Sequence, residues 1–194
     1  MNPFCKQVIV VTVFAFAAYA DPAWDVRETG DSIDITLAPG PMQVITQGQG
    51  VVVSAGPGAA VVNIGEPDVP VLVRVFKARP GRHARVAVVS AEDVQEQSAN
   101  VLPRPFETVE TVDDDKVRRV TVLEPDPDVY LAGGFWPEPQ ARVTEAAMGT
   151  NVYIRLAVYP VQYNPLRQTL RSAGIIKIRV SFDESHAGAD KTGP

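Results

Sequence analysis

The stretch Asn151 to Phe182, NVYIRLAVYPVQYNPLRQTLRSAGIIKIRVSF, decides the fold. Val152 to Tyr159 is an apolar run of strand length, and Ile176 to Phe182 alternates apolar with polar residues, as a strand with one wet face does. Between them, Tyr159-Pro160-Val161-Gln162-Tyr163-Asn164-Pro165 continues neither strand. Pro160 and Pro165 lack the N–H that a ladder uses, and Asn164 suits a turn. The reading is a hairpin-like pair of strands closed by a compact corner, in which Tyr163 packs its ring and its hydroxyl finds a backbone partner.

Upstream, the same strand grammar repeats. Val26 to Leu37 alternates around a Thr-Gly-Asp turn and sets Ile33, Ile35 and Leu37 on one face. Met42 to Thr46, Val51 to Ser54 and Ala59 to Ile64 are short β-rich runs punctuated by Pro39-Gly40-Pro41, Gly48-Gln49-Gly50 and Gly56-Pro57-Gly58. No helix start or Lys-Ser/Thr follows these glycines, so they read as turns and not as phosphate cradles. Val71 to Phe76 and Ala84 to Ser90, joined by Arg79-Pro80-Gly81-Arg82, read as a meander in which Val71, Val73 and Val75 face Val86 and Val88. Ala91 to Asp115 is polar and acidic, holds Pro103 and Pro105, follows neither period, and reads as a long exposed excursion. Lys116 to Leu123 and Ala141 to Met148 return to strand patterning, and Phe135-Trp136-Pro137 reads as a buried corner plug.

The 17 Pro and 14 Gly are spread along the 194 residues instead of gathering in a linker. That suits many short strands and leaves little room for helices. The expected fold is all-β, an antiparallel β-sandwich of Ig-like or jelly-roll-like kind with short loops and little or no helix.

Residues 1–20 read as a signal peptide: Lys6 without acids, the apolar run Val8 to Ala20, and a small-x-small ending at Ala18 and Ala20. Cleavage there leaves 174 of the 194 residues and moves the formal charge from -5 to -6 with the loss of Lys6. Residues 21–182 form the expected domain and 183–194 a flexible tail. Export to the periplasm, outer surface or exterior follows, with no membrane association after cleavage. Cys5, the one cysteine, leaves with the leader, so a disulfide framework and a cysteine nucleophile are not expected in the remainder.

The acidic balance argues against nucleic-acid binding, which needs a basic footprint. Only His83 and His186 are available as an imidazole base, and no Gly-x-Ser-x-Gly elbow accompanies them, so a hydrolytic triad is not expected. No cofactor site and no Cys/His metal cluster are readable. The carboxylates of Asp113 to Asp115 and of Glu124, Asp126 and Asp128 offer oxygen to calcium, with Asp126 and Asp128 as the alternative to a plain solvated loop.

Several local patterns then combine. Gly65-x-Pro67-x-Val69-Pro70-Val71-Leu72, a valine strand ending Val88-Val89-Ser90, Tyr130 before Phe135-Trp136-Pro137, then Gln162-Tyr163-Asn164-Pro165 and Thr169-Leu170-Arg171 follow one another in this order. Together they resemble the propeptide of gingipain-type cysteine peptidases, over about Gly50 to Phe182. Pro67, Pro70, Pro160, Gln162, Tyr163, Asn164 and Pro165 carry the signature.

The resemblance implies a β-sandwich that assists folding of the peptidase catalytic domain and covers its active cleft until it is cut away. The catalytic domain with its cysteine and histidine is not among these residues, so peptidase activity is not expected of them. An orphan inhibitor or a truncated precursor is expected instead. In arginine-specific members a loop enters the specificity pocket with a basic residue. The corresponding segment here is Leu102 to Arg119, where counting from Pro103 reaches Glu110, an acid, and Arg104, Arg118 and Arg119 stand as alternatives. A second reading is a stand-alone structural or adhesive sandwich that has lost its peptidase partner. Oligomeric state is open.

Overall fold

A computed structural model of the chain describes residues 21–55, 63–113 and 116–184. The leader with Ala18 and Ala20, the Gly56-Pro57-Gly58 turn and most of the run after it, Asp114, Asp115, His186 and residues 185–194 lie outside them. The elements are β1 (Ala23–Glu28), β2 (Ser32–Ala38), β3 (Met42–Gln47), β4 (Gly50–Ala55), β5 (Leu72–Lys77), β6 (Arg82–Glu92), β7 (Gln95–Ser98), β8 (Phe106–Asp113), β9 (Lys116–Val122), one-turn helix α1 (Pro127–Tyr130), β10 (Ala141–Met148), β11 (Asn151–Val158), β12 (Val161–Asn164), β13 (Thr169–Ser172) and β14 (Ile175–Glu184).

Two antiparallel sheets make the main sandwich, one in the order β1-β2-β14-β6 and the other β10-β11-β5. Ile33, Ile35 and Leu37 of β2 and Ile176, Ile178, Val180 and Phe182 of β14 meet Leu72 of β5 and Ile154, Leu156 and Val158 of β11 in one buried cluster. Period-2 alternation therefore sends these apolar side chains inward. The opposite face of the first sheet carries ions. Asp34 pairs with Arg179 at 2.6 Å, Glu92 with Lys177 at 2.6 Å and Arg85 with Asp183 at 2.7 Å. The Arg179 guanidinium holds the Asp34 carboxyl below its usual range, and the Lys177 ammonium does the same for Glu92.

A second core lies at one end. The sheet β12-β13-β7, the hairpin β3-β4 and the segments around Val69 and Val101 enclose Val53, Val69, Val101, Val161, Tyr163 and Leu170. Met42, Tyr130 and Trp136 close it from the sides.

Three expectations need correction. β11 and β14 do not form a hairpin: β11 pairs with β5 and β10, whereas β14 pairs with β2 and β6. They face each other across the core, and the true hairpin lies inside the corner, where β12 pairs with β13 from Val161↔Ser172 to Asn164↔Thr169.

β5 and β6 likewise belong to different sheets, so the turn at Arg79 to Gly81 arches the chain from one layer to the other. Leu72 and Phe76 of β5 and Val86 and Val88 of β6 pack in the same cluster, while Val75 is exposed.

The third correction is the excursion after Ala91. It contains β7, the buried Val101 (1% exposed) and β8, which pairs antiparallel with β9, the strand expected at Lys116 to Leu123, to form a ribbon. At the C-terminal end, β14 runs to Glu184, two residues past the boundary expected at Phe182.

Candidate functional site

β8 and β9 pair only with each other among the described residues, so the ribbon stands away from both cores. Its register sets Glu107 opposite Thr121, Val109 opposite Arg119, and Thr111 opposite Val117. Strand alternation puts these six residues on one face. All six are exposed, Val109 at 57% and Val117 at 69%. On the other face Phe106, Thr108, Val120 and Val122 are half-buried.

The four sequence candidates separate here. Glu110 and Arg118 are cross-strand partners on that second face, where both are exposed, with an ion pair of 3.0 Å. Arg119 stands on the exposed face beside Val109, with its guanidinium 4.0 Å from Glu107 and 83% exposed. Arg104 is not on the ribbon. It sits at the base, where its guanidinium meets Asp68 at 3.3 Å.

That base is built from the Gly65-to-Pro70 signature element. The ribbon hangs on two legs of the same chemistry, Pro103-Arg104-Pro105 and Pro125-Asp126-Pro127. In each leg the central residue is the only one with an N–H. Arg104 N donates to Glu66 O at 2.7 Å, and Asp126 N donates to Gly65 O at 2.9 Å. Gly65 N in turn donates to Arg104 O at 3.1 Å, and Pro67 bridges Pro103. The Glu66 carboxylate accepts from Asn63 N at 2.9 Å and from Asn63 Nδ2 at 3.0 Å, which closes the loop carrying Gly65.

Asp126 has a second task. Its Oδ1 accepts from Asp128 N at 2.9 Å and caps α1, an N-cap role in which the carboxylate meets orphan backbone donors. Among the described residues no group of three or more His, Cys, Asp or Glu is placed to hold a metal ion. The other imidazole candidate, His83, lies on β6, exposed, with Nδ1 3.4 Å from Glu145.

The corner residues prove structural. Gln162 Nε2 donates to Pro137 O at 2.7 Å, and Asn164 Nδ2 donates to Gly133 O at 3.1 Å while its Oδ1 accepts from Arg167 N at 3.0 Å. Pro160 O accepts from Ala173 N at 3.0 Å and Pro165 O from Gln168 N at 3.3 Å. Pro67 and Pro70 are buried.

The Tyr163 hydroxyl is hydrogen-bonded to the Val101 backbone, and the Tyr130 hydroxyl donates to Val101 O at 3.1 Å. Burial pushes both phenols up from their ordinary value of about 10. The folded state thus keeps these protons to higher pH than the unfolded chain does. The stability they contribute is complete below about pH 10 and is lost as pH rises past it. Thermal melts between pH 8 and pH 11 should show a falling midpoint, and Tyr130→Phe should fall less steeply. Parallel curves for the two proteins would show that Tyr130 contributes nothing to the alkaline loss.

Sequence reasoning missed Gly65 as the joint between the legs. The repeated Pro-x-Pro was visible, but nothing in the spacing said that both would meet one glycine.

The Propeptide_C25 family model matches residues 33–193. No curated protein matches the chain. Among solved structures, the chain is similar to one described as the complex of Porphyromonas gingivalis RgpB pro- and mature domains. The TM-score is 0.67 and the identity 20%, with 88% of each chain covered. It is also similar to one described as giving structural insight into zymogenic latency of gingipain K from Porphyromonas gingivalis. There the TM-score is 0.61 and the identity 20%, covering 86% of this chain and 96% of that one. At this identity the two likenesses establish a shared fold. With the family model running from β2 through both sandwich sheets, the ribbon and the corner, the chain belongs to the Propeptide_C25 family, the propeptides of gingipain-type cysteine peptidases.

Proposed function

We propose that this chain is the latency and folding module of a gingipain-type cysteine peptidase, and that it lays the β8–β9 ribbon against the active cleft of the catalytic domain. It is exported behind the leader that ends at Ala20, and it turns over no substrate of its own. The observation that carries this reading is the ribbon, a pair of strands whose fully exposed face offers Val109, Val117 and Arg119. The two similar structures, described as a complex of pro- and mature domains and as an insight into zymogenic latency, support the same partner.

The physics fits a cleft-covering role. A ribbon fixed at both legs loses little conformational freedom when it binds, so more of the contact energy appears as affinity. Among the described residues its edges are unpaired backbone, which an extended cleft can meet by strand addition. Arg119 is the cation placed to reach a partner, because its contact with Glu107 is the long one at 4.0 Å, whereas Arg118 meets Glu110 at 3.0 Å and Arg104 meets Asp68 at 3.3 Å.

Purified residues 21–194 should form a stoichiometric complex with a gingipain-type peptidase and suppress its activity. Absence of both complex and inhibition would overturn the reading, and self-association instead would favour the adhesive alternative.

A further inference from the structure

We infer that Gly65 is the positioning residue that aims the ribbon, clasping one leg through its N–H and the other through its carbonyl; this rests on the proposed role of the ribbon. Gly65 N–H goes to Arg104 O at 3.1 Å and Gly65 C=O receives Asp126 N at 2.9 Å, so a single residue's width separates the two legs. Its φ is +81°, a left-handed conformation that glycine adopts freely. A Cβ built there would stand 3.1 Å from Glu124 O and 3.2 Å from Asp126 N, main-chain atoms at the start of the second leg and within it. Any side chain at this position therefore pushes that leg away from the first. The flanking prolines restrict how the legs can yield, because each fixes φ and restricts the residue before it. The displacement passes into the ribbon instead of being absorbed at its base.

This clasp gives Arg104 a different task from the one its charge suggests. Its N–H and C=O are both committed to the Gly65–Glu66 loop and its guanidinium to Asp68. It holds the ribbon and does not enter a cleft.

Gly81 provides the control. Its φ of +67° carries the same left-handed demand, but a Cβ there meets nothing within 4 Å. Gly65→Ala and Gly81→Ala are compared as residues 21–194 in two measurements: inhibition of the gingipain-type peptidase, and amide hydrogen exchange in the free protein. Gly65→Ala should weaken inhibition tenfold or more through faster dissociation. It should also speed exchange at the amides of Arg104 and Asp126, while those of β2 and β14 stay protected. Gly81→Ala should leave inhibition within twofold of wild type.

Equal losses in the two glycine variants, or a Gly65→Ala protein that inhibits like wild type, would overturn the inference. If Gly65→Ala does not accumulate folded, Pro125→Ala takes its place, since it frees the exposed second leg without adding an atom near Gly65. It should weaken inhibition at least threefold, and wild-type inhibition would overturn the inference. A wild-type chain that binds no peptidase would overturn the proposed function itself, and the exchange at Arg104 and Asp126 would still report whether Gly65 holds the legs.

Discussion

Replacing Tyr163 with alanine should lower stability by about 3 kcal/mol or more, within the range seen when a buried aromatic ring is truncated. For a domain of this size that is a drop in melting temperature of about 6 °C or more. The ring is 1% exposed and packs among Val53, Val69, Val101, Val161 and Leu170. Its edge meets the Tyr130 ring at 6.4 Å between centroids and 64° between planes. Its backbone is bound as well, with Tyr163 N donating to Trp136 O at 2.7 Å and Trp136 N to Tyr163 O at 2.8 Å. The second core has few large members, so the neighbours cannot collapse into the space left behind.

Tyr163→Phe separates the contributions. It keeps the ring and removes only the bond to the Val101 backbone, so it should lose about 1 kcal/mol. Differential scanning calorimetry of the two variants decides the matter: an unchanged midpoint for the alanine variant would mean that the ring does not fill this core. The effect should also reach the ribbon. Val101, which Tyr163 and Tyr130 both hold, lies two residues before the first leg.

What the sequence made legible was which residues face inward. Ile33, Ile35 and Leu37, and Ile176, Ile178 and Val180, alternate with polar neighbours on strands that have one wet face, and the period of two assigns them to the core without knowledge of their partners. Partnership was another matter. β5 and β6 follow one another across a tight Pro-Gly turn, the usual mark of a hairpin, yet they arch over the core and face each other with their side chains. β11 and β14 do the same across the corner. Two strands that pack face to face and two strands that share a ladder show the same alternation, so periodicity cannot tell them apart.

The ribbon was half hidden for a different reason: Lys116 to Leu123 reads as a strand, but its partner β8 does not. Phe106 to Val122 has no fully buried face, so Thr108, Val109, Thr111, Val117 and Val120 carry strand preference without a core-facing stripe. Gly65 was legible only as the head of the Gly-x-Pro-x-x-Pro element, and its contacts lie some forty and sixty residues downstream, a relation that only the folded chain contains.

Excising the ribbon should abolish inhibition and leave the sandwich standing. Phe106 and Val122 are directly opposed in the register, so removing residues 107–121 and joining them by an Asn-Gly turn closes the stump with hairpin geometry. The clasp at Gly65 and both cores keep all their contacts, because neither buried cluster contains a residue from the excised stretch. The melting temperature should stay within about 3 °C of the parent, since an isolated two-stranded ribbon contributes little stability. Peptidase inhibition should weaken a hundredfold or more, about 2.8 kcal/mol of binding free energy.

Two single variants then divide that loss between the faces. Arg119→Ala should cost more than Arg118→Ala, because Arg119 shares the exposed face with Val109 and Val117 whereas Arg118 is spent on Glu110 at 3.0 Å. Binding energy concentrates in a few central residues of an interface, so one of the two arginines should dominate. Full inhibition by the excised protein would move the contact to the sandwich itself, and a larger loss at Arg118 would turn the ribbon over, with its half-buried face toward the cleft.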